Sequence, residues 1–421
     1  MGNTQSIKLE FGHMKHLFLV MIVGVLVGCG KKDAPSIPKT DGNTTPLPST
    51  QPKKEAGDPE PPKIIPNSPE TKAAIEGVIR TFAQKSSGEL TEEDYEKVTE
   101  FYGVRRISDV SPLINLTQLE KLDLNNNPIT NVNLLAKLHG LKEIKLSYCQ
   151  IIDVSPLVQL KHLKSIDLSS NDNLELDTLA KLTQLEKLTL WRNNSTDITP
   201  IAKLTQLKEL DLWKNKLNDV RPLANLKQLE LLNLTAGDTL SRITNVEPLA
   251  NLGKLQNLNL RDQRVSNLSP LSSLKELRVL GLYGNQITNL EPLSKLNNLE
   301  SLNIGGNKNI NLATLANLTQ LNELYLSRCS ISDVSFLNKL TNLKRLELDT
   351  NQITDLSPIS KLNKLEELGL TANPIDNLDP LLKLSGLKKL TLYRIPKLTK
   401  AKVDELKKVL PECSISHNAT N

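Results

Sequence analysis

Aromatic residues are scarce in this chain of 421 residues, where phenylalanine, tyrosine and tryptophan together make up 3%. An ordinary globular core uses bulky aromatic side chains beside the aliphatic ones, but here leucine dominates. Such a bias is typical of a core that is assembled from internal repeats.

Motifs of catalysis and cofactor binding are missing. The sequence contains no H-E-x-x-H zinc motif, no Walker loop and no G-x-S-x-G nucleophile turn. His139 and His162 fall in turns of adjacent units without a neighbouring thiol or paired carboxylate, and we interpret them as solvated. The sequence therefore predicts a protein that is not an enzyme and that uses no metal or other cofactor.

A strong excess of one charge is also missing. The formal net charge is +5, and the charged residues are spread along the chain. Because a nucleic-acid-binding protein needs a concentrated basic stripe, nucleic acid is not expected as a partner.

The apolar run LFLVMIVGVLV at residues 17–27 is too short to span a bilayer as a helix. Lys15 precedes it and the small Gly28 follows, which is typical of a secretory signal peptide at residues 1–28. Met14 is an alternative start that would give a signal of normal size. An uncleaved membrane anchor is the other interpretation of this run.

The residues that end this run, Leu26-Val27-Gly28-Cys29, resemble the lipobox of bacterial lipoproteins. The resemblance implies that Cys29 becomes the first residue and carries lipid, since several acyl chains anchor a protein stably. It places the protein in the cell envelope, on an outer membrane or on the extracytoplasmic face of the plasma membrane. An ordinary signal peptide is the alternative.

Proline marks the next segment. Residues 30–68 contain nine prolines and few large apolar residues, so they cannot bury enough surface to offset the entropy of ordering. We predict that residues 29–68 form the lipidated cysteine and a disordered tether. The tether either has a specific role or is a mere spacer.

A period of 22 residues runs through residues 116–398, and each unit follows L-x-x-L-x-x-L-x-L-x-x-N-x-I. One unit is four residues longer, around Gly237-Asp238-Thr239-Leu240; this insertion is either the lip of a pocket or a tolerated loop. The units begin at Leu116, Leu138, Leu160, Leu182, Leu204, Leu226, Leu252, Leu274, Leu296, Leu318, Leu340, Leu362 and Leu384. This pattern resembles the leucine-rich repeat, and about 13 such repeats predict an α/β solenoid in the form of a horseshoe.

The alternating x-L-x-L-x stretch of each unit predicts one short strand, with leucines inside and the residues between them outside. Stacked units then form a parallel sheet on the concave side. The return segment is short, and Ser155-Pro156-Leu157 predicts a single 3₁₀ turn on the convex side, with the serine as cap and proline at the first position.

A polar column follows the strands, and we expect its amides to be buried against backbone groups of the turns. Its members are Asn127, Asn171, Asn193, Asn215, Asn285, Asn307, Asn351 and Asn373. Cys149 and Cys329 occupy the same column and are interpreted as structural thiols, too far apart in a stacked solenoid for a disulfide. Cys413 near the end is expected to be packed.

Helical caps are predicted at both ends of the repeats. Residues 69–115 contain an amphipathic helix with Ile75 and Phe82 on one face, and Thr91 with Asp94 resembles a capping box that opens a second helix. Residues 399–421 contain a closing helix, which Pro411 stops, and a tail.

Together, the 22-residue units and the helical cap before them resemble the internalin type of leucine-rich repeat, over roughly residues 70–415. They are also similar to the repeats of phosphatase-regulating proteins. The resemblance implies a concave face that binds a protein, as internalins bind host receptors.

The outward position after the second strand leucine holds both tryptophans and two tyrosines. Exposed aromatic residues beside cations are typical of interface hot spots, whereas lateral packing over the sheet is the alternative. The predicted ligand-binding residues are Trp191, Arg192, Trp213, Lys214, Leu231, Arg261, Val279, Tyr283 and Tyr325.

The sequence thus predicts a monomeric, membrane-tethered module that recognises a protein or peptide through the concave face. One alternative is a scaffold or regulator of another envelope protein. A second alternative is a protein that binds carbohydrate or cell wall, because paired tryptophans also stack on sugars.

Overall fold

The computed structural model describes residues 65–237 and 242–419. The predicted signal peptide, Cys29 and all but the last residues of the predicted tether lie outside the described residues, and so do residues 238–240 of the insertion. No helix in the described ranges is long and apolar enough to cross a membrane.

Fifteen parallel strands of the described chain form one sheet in sequence order, which confirms the predicted solenoid. Their bounds are β1 Glu100–Phe101, β2 Lys121–Asp123, β3 Glu143–Lys145, β4 Ser165–Asp167, β5 Lys187–Thr189, β6 Glu209–Asp211, β7 Leu231–Asn233, β8 Asn257–Asn259, β9 Val279–Gly281, β10 Ser301–Asn303, β11 Glu323–Tyr325, β12 Arg345–Glu347, β13 Glu367–Gly369, β14 Lys389–Leu392 and β15 Ser414–His417. Neighbouring repeats pair in phase: Leu188 lies opposite Leu210, and across the long unit Leu232 lies opposite Leu258. The extra residues of that unit therefore leave the register of the sheet intact.

Short 3₁₀ helices form the convex return in the described chain, as predicted. Their bounds are η1 Ser111–Leu113, η2 Asn133–Lys137, η3 Ser155–Gln159, η4 Leu176–Lys181, η5 Thr199–Lys203, η6 Arg221–Leu223, η7 Glu247–Leu249, η8 Ser269–Ser273, η9 Glu291–Lys295, η10 Ala313–Asn317, η11 Ser335–Lys339, η12 Ser357–Lys361 and η13 Asp379–Lys383. The serine of η3 is not the cap that the sequence suggested. Its N–H and hydroxyl instead donate to the Asp153 carboxylate, at 2.6 and 2.7 Å.

Leucines of the repeat pattern fill the interior between the sheet and the convex turns. Leu185, Leu188 and Leu190 of one unit are each fully buried, and the same holds in its neighbours. Because each unit buries its leucines against the next, truncation of one to alanine would cost about 2–5 kcal/mol.

The asparagine column binds successive repeats together, as predicted. The amide of Asn285 donates to the carbonyls of Leu260 and Leu282, at 2.9 and 3.0 Å, and its Oδ1 accepts from Val265 N at 2.9 Å. One buried side chain thus satisfies three backbone groups of two adjacent turns. Gln263 fills the column in the unit after the insertion, where its Oε1 accepts from Ile243 N at 2.7 Å.

The cysteines of the column are buried and free. Cys149 Sγ donates to Leu124 O at 3.5 Å, and Cys329 Sγ donates to Ile304 O at 3.4 Å. Burial raises the pKa of both thiols to about 11, so they stay protonated and unreactive at neutral pH. Cys413 is also buried and free.

Two helices cap the amino-terminal end of the core. Helix α1, Pro69–Ala83, is capped by Ser68, whose hydroxyl accepts from Thr71 N at 3.2 Å, and it buries Ile75 and Ile79. Helix α2, Glu92–Glu96, begins with the predicted capping box of Thr91 and Asp94.

The carboxyl-terminal cap contains more than the predicted helix. Helix α3, Lys400–Val409, buries Val403 and Leu406 against the last repeat. The chain then adds strand β15, which pairs with β14 through Ile415 opposite Leu390. The sequence alone predicts a tail at these residues.

Candidate binding surface on the concave sheet

Each strand presents three outward side chains, which stack into columns across the sheet. In β5 these are Lys187 in the first column, Thr189 in the second and Trp191, two residues beyond the strand, in the third. The next residue, Arg192, has a left-handed backbone with φ of 56°, and the corresponding positions of other repeats repeat this turn. The positions after the third column therefore form one rim of the concave face.

Three aromatic side chains meet at this rim and form what we call the aromatic cluster: Tyr148, Trp191 and Trp213. The ring centroids of Tyr148 and Trp191 are 5.3 Å apart, and those of Trp191 and Trp213 are 5.7 Å apart. Tyr148 and Trp191 belong to repeats that flank β4, where the small side chains of Ser169 and Ser170 leave space for the rings to meet.

The exposure of the cluster differs from ring to ring. Tyr148 is 44% exposed, whereas both tryptophans are half-buried. Lys214 lies over the Trp213 ring, with Nζ 4.6 Å from its centroid, in a cation–π contact. In the repeat between Tyr148 and Trp191, the Ser170 hydroxyl is buried and has no hydrogen-bond partner among the described residues.

Carboxylates of the second column lie on the inner side of the cluster. Asp211 Oδ1 accepts from Trp213 N at 2.9 Å, and burial raises the pKa of this carboxyl to about 6. Asp167 accepts from the N–H and hydroxyl of Ser169, at 3.0 and 2.6 Å, and burial raises its pKa as well. Asp211 therefore stabilises the turn that carries the Trp213 ring, and Asp167 stabilises the serine turn between Tyr148 and Trp191.

Arg261 and Tyr283 form a separate pair two repeats further along. The guanidinium carbon lies 4.4 Å from the centroid of the ring, and Nε donates to Asp262 at 3.0 Å. On its other side the ring fills the space above Gly305, where an added Cβ would lie 2.8 Å from Tyr283 Cδ2. Tyr283 thus packs laterally, which is the alternative that the sequence analysis left open.

The remaining predicted residues lie outside the cluster. Leu231 and Val279 are half-buried in the first column. Tyr325 is only 5% exposed, because its ring packs among strand side chains while its hydroxyl donates to Glu323 at 3.1 Å. It stabilises the wall of the sheet and offers a partner little surface.

A second chemical region, which the sequence analysis missed, is the acidic patch. It comprises Glu323, Glu347, Asp349 and Glu367 on and after β11–β13. Burial, then the charge of Asp349, raises the pKa of Glu347 to about 7. An added Cβ at Gly369 would overlap Glu347 Oε2 and lie 3.0 Å from Asp349 Oδ1, so the glycine makes room for both carboxylates.

Other ligand chemistry is sparse on the described chain. Residues 65–237 and 242–419 hold no group of three or more histidine, cysteine or acidic side chains that could bind a metal ion. A cavity of about 400 Å³ lies beside the long unit, bordered by Gly237, Arg242 and Arg264 among others.

Tyr148 is the residue of the cluster that the sequence analysis overlooked. It stands one position after the third column, with φ of 54°. A signal was present, since the same position elsewhere holds small or charged residues such as Ser170, Arg192 and Gly306.

Known proteins share this architecture. The family pattern described as Leucine Rich repeats (2 copies) matches residues 275–317 and 319–361. The crystal structure of an internalin, InlF, from Listeria monocytogenes is 30% identical with a TM-score of 0.61, covering 85% of this chain and 96% of that one. A leucine-rich-repeat protein from Leptospira interrogans is 25% identical with a TM-score of 0.63, covering 81% and 98%.

A more distant structure, a plant peptide hormone receptor in complex with its hormone, is 20% identical with a TM-score of 0.55, covering 79% and 61%, and shows the fold alone. No curated protein matches the chain. Repeat proteins of the internalin and receptor type generally bind proteins or peptides. On its repeats and its identity to InlF, the chain belongs to the internalin-like leucine-rich-repeat proteins.

Proposed function

We propose that the protein is a membrane-tethered module that recognises a protein or peptide through the aromatic cluster. The observation that carries this proposal is the contact of Tyr148, Trp191 and Trp213 at one rim of the sheet. Clustered tryptophan and tyrosine beside cations are the composition of interface hot spots. Both tryptophans of the whole chain lie in this cluster.

The ring geometry favours a protein over a glycan. The planes of Tyr148 and Trp191 are 74° apart, and those of the two tryptophans are 36° apart. Neighbouring rings that share one plane offer a flat platform to a sugar chain, whereas these rings lie at angles to one another and leave recesses that a side chain of a protein partner can enter. Free oligosaccharides are therefore expected not to compete with the partner.

The anchor belongs to the same proposal. The lipobox resemblance of residues 26–29 supports acylation of Cys29 and attachment to a membrane outside the cytoplasm. Labelling with a radioactive fatty acid in a bacterial host should mark the wild type and not Cys29→Ser. Equal labelling of the two would remove the anchor from the proposal.

The binding experiment compares three baits made from the full chain: wild type, the Trp191→Ala/Trp213→Ala variant, and the control Tyr393→Ala. Tyr393 is a matched control because it occupies the same column and is exposed, but it lies at the far end of the sheet. Chemical cross-linking in envelope extracts and in host extracts should yield a protein with wild type and control and lose it with the double variant.

Equal capture by all three baits would contradict a site at the cluster. The origin of a tryptophan-dependent protein also distinguishes adhesion from the regulation of another envelope protein. Matching circular dichroism melts for the three baits are the control for folding.

A further inference from the structure

Positive side chains continue the rim on which the aromatic cluster lies. We call them the basic rim: Arg192, Lys214, Lys216, Arg242 and Arg264. Arg192 and Lys214 directly follow the two tryptophans and are exposed. Their left-handed backbones, each with φ of 56°, direct them from the same turn in adjacent repeats.

Four of these five cations form no ion pair with the residues that the structure describes. None of the ion pairs of the described chain involves Arg192, Lys214, Lys216 or Arg264. Among the rim carboxylates, Asp262 pairs with Arg261 at 3.0 Å, and Asp172 accepts from Asn194 Nδ2 at 3.0 Å. Arg192, Lys214, Lys216 and Arg264 therefore present their positive charge to solvent.

The cluster and the basic rim form one continuous surface. Lys214 Nζ lies 4.6 Å above the Trp213 ring, and Gly237 of the next repeat packs against Lys214, where an added Cβ would be 3.2 Å from its Cα. Gly237 also borders the cavity that Arg242 and Arg264 line. A chain that places an apolar side chain on the cluster thus runs along cations next.

The carboxylates near the cluster do not cancel this charge for an incoming chain. Asp211 and Asp167 lie on the inner side of the rings, and their oxygens accept hydrogen bonds from Trp213 and Ser169. The exposed positions on the outer side belong to Arg192 and Lys214. An approaching partner meets the positive side chains first, and charge complementarity sets the preference for a partner.

We propose that the partner segment is acidic: one apolar or aromatic side chain contacts the aromatic cluster, and neighbouring aspartate or glutamate residues pair with the basic rim. This inference rests on the proposed function, because it describes the occupant of the same site. A failure of this inference can be told apart from a failure of the proposed function. Dependence of binding on the two tryptophans tests the site, whereas the charge of the bound peptide tests the inference.

The first test is a selection of random 12-residue peptides on the immobilised full chain and, in parallel, on Trp191→Ala/Trp213→Ala. We expect peptides that depend on the tryptophans and combine a bulky apolar residue with two or more acids. Neutral or basic tryptophan-dependent peptides would overturn the acidic partner and leave the site standing. The absence of any tryptophan-dependent peptide would overturn both.

The second test measures the affinity of the selected acidic peptides by fluorescence anisotropy. Arg192→Glu/Lys214→Glu should weaken binding by about tenfold or more, because two attractions become repulsions. The control Arg328→Glu/Arg394→Glu makes the same charge change at exposed positions of the same turn in distant repeats, and it should bind like wild type. An equal loss in both variants would mean that net charge, and not the basic rim, attracts the peptide, and would overturn the inference.

Discussion

The aromatic cluster and the acidic patch occupy the same sheet, yet they present opposite surfaces. Around β4–β6 large rings lie at the rim with exposed cations beside them, whereas around β11–β13 carboxylates crowd beside Gly369. The backbone is alike in both: the amides of Asn193 and Asn351 donate to the carbonyls of Leu168 and Leu326, at 3.0 and 2.9 Å. The difference teaches that the inward residues determine the fold and the outward columns determine the chemistry.

The largest expected effect separates the two regions by binding. Trp191→Ala/Trp213→Ala should lower the affinity for a cross-linked or selected partner by at least about 100-fold, since each hot-spot residue contributes about 2 kcal/mol or more. Glu347→Gln/Asp349→Asn should leave that affinity within a few fold. Titration calorimetry measures the affinity of both variants for the partner. An equal loss of affinity in the two would mean that both regions belong to one interface.

The two regions should depend equally on the asparagine column for their stability. Asn193→Ala and Asn351→Ala each leave buried backbone groups without a hydrogen-bond partner, and each should lower the free energy of unfolding by about 2 kcal/mol. Urea denaturation followed by circular dichroism gives both values. Tyr393→Ala, which lies outside the asparagine column, is the control, and a large difference between the two asparagine variants would show that one region depends less on that column.

The pH dependence of stability should distinguish the regions next. Burial raises the pKa of Glu347 to about 7 and that of Asp211 to about 6, above the ordinary values of 4.5 and 3.8. The folded protein then binds protons that the unfolded chain has lost, so these carboxyls contribute stability at low pH that disappears as pH rises through the folded pKa. Between about pH 6 and 7 the loss should come mainly from Glu347.

Glu347→Gln should therefore raise the melting temperature at pH 8 and flatten its dependence on pH above 6. Asp211→Asn should flatten the dependence at lower pH instead. Scanning calorimetry across this range compares the two with wild type. If the melting temperature of Glu347→Gln followed the wild-type slope between pH 6 and 7, the assignment to Glu347 would fail.

The smallest expected effect concerns the acidic patch alone and is a change in the pKa of Glu347. In Gly369→Ala the new methyl group would overlap Glu347 Oε2, which pushes the carboxylate toward solvent and lowers its pKa. Nuclear magnetic resonance titration of the Glu347 carboxyl carbon should show a midpoint below that of wild type, while the titration of Asp211 stays unchanged. An unaltered Glu347 midpoint would mean that the glycine does not cause the shift.

Much of the fold follows from the sequence because its cause is local and repeated. The period of 22 residues, the buried leucines and the hydrogen bonds of Asn285 all arise from one unit stacked on its copy. Strand β15 escaped prediction because Ser414–His417 has no repeat pattern and is extended only through its pairing with β14.

The site was less predictable because exposure depends on neighbouring repeats. The column pattern singles out Trp191 and Trp213 as candidates, but Tyr148 joins them across β4 only because Ser169 and Ser170 are small. Tyr325 has the right orientation and is nevertheless covered. Gly369 leaves room for the Glu347 carboxylate because it has no side chain, and no sequence motif indicates this.

The uniform parallel register fixes the distances between surface positions along the sheet. Adjacent strands are ~4.8 Å apart, so the six intervals from β6 to β12 separate Trp213 from Glu347 by roughly 29 Å along the sheet. Since every unit contacts only its neighbours, deletion of one whole unit, such as residues 274–295, would shorten that distance by one step and keep both surfaces. Evolution can thus adjust the span between two contact points in fixed increments without redesigning either one.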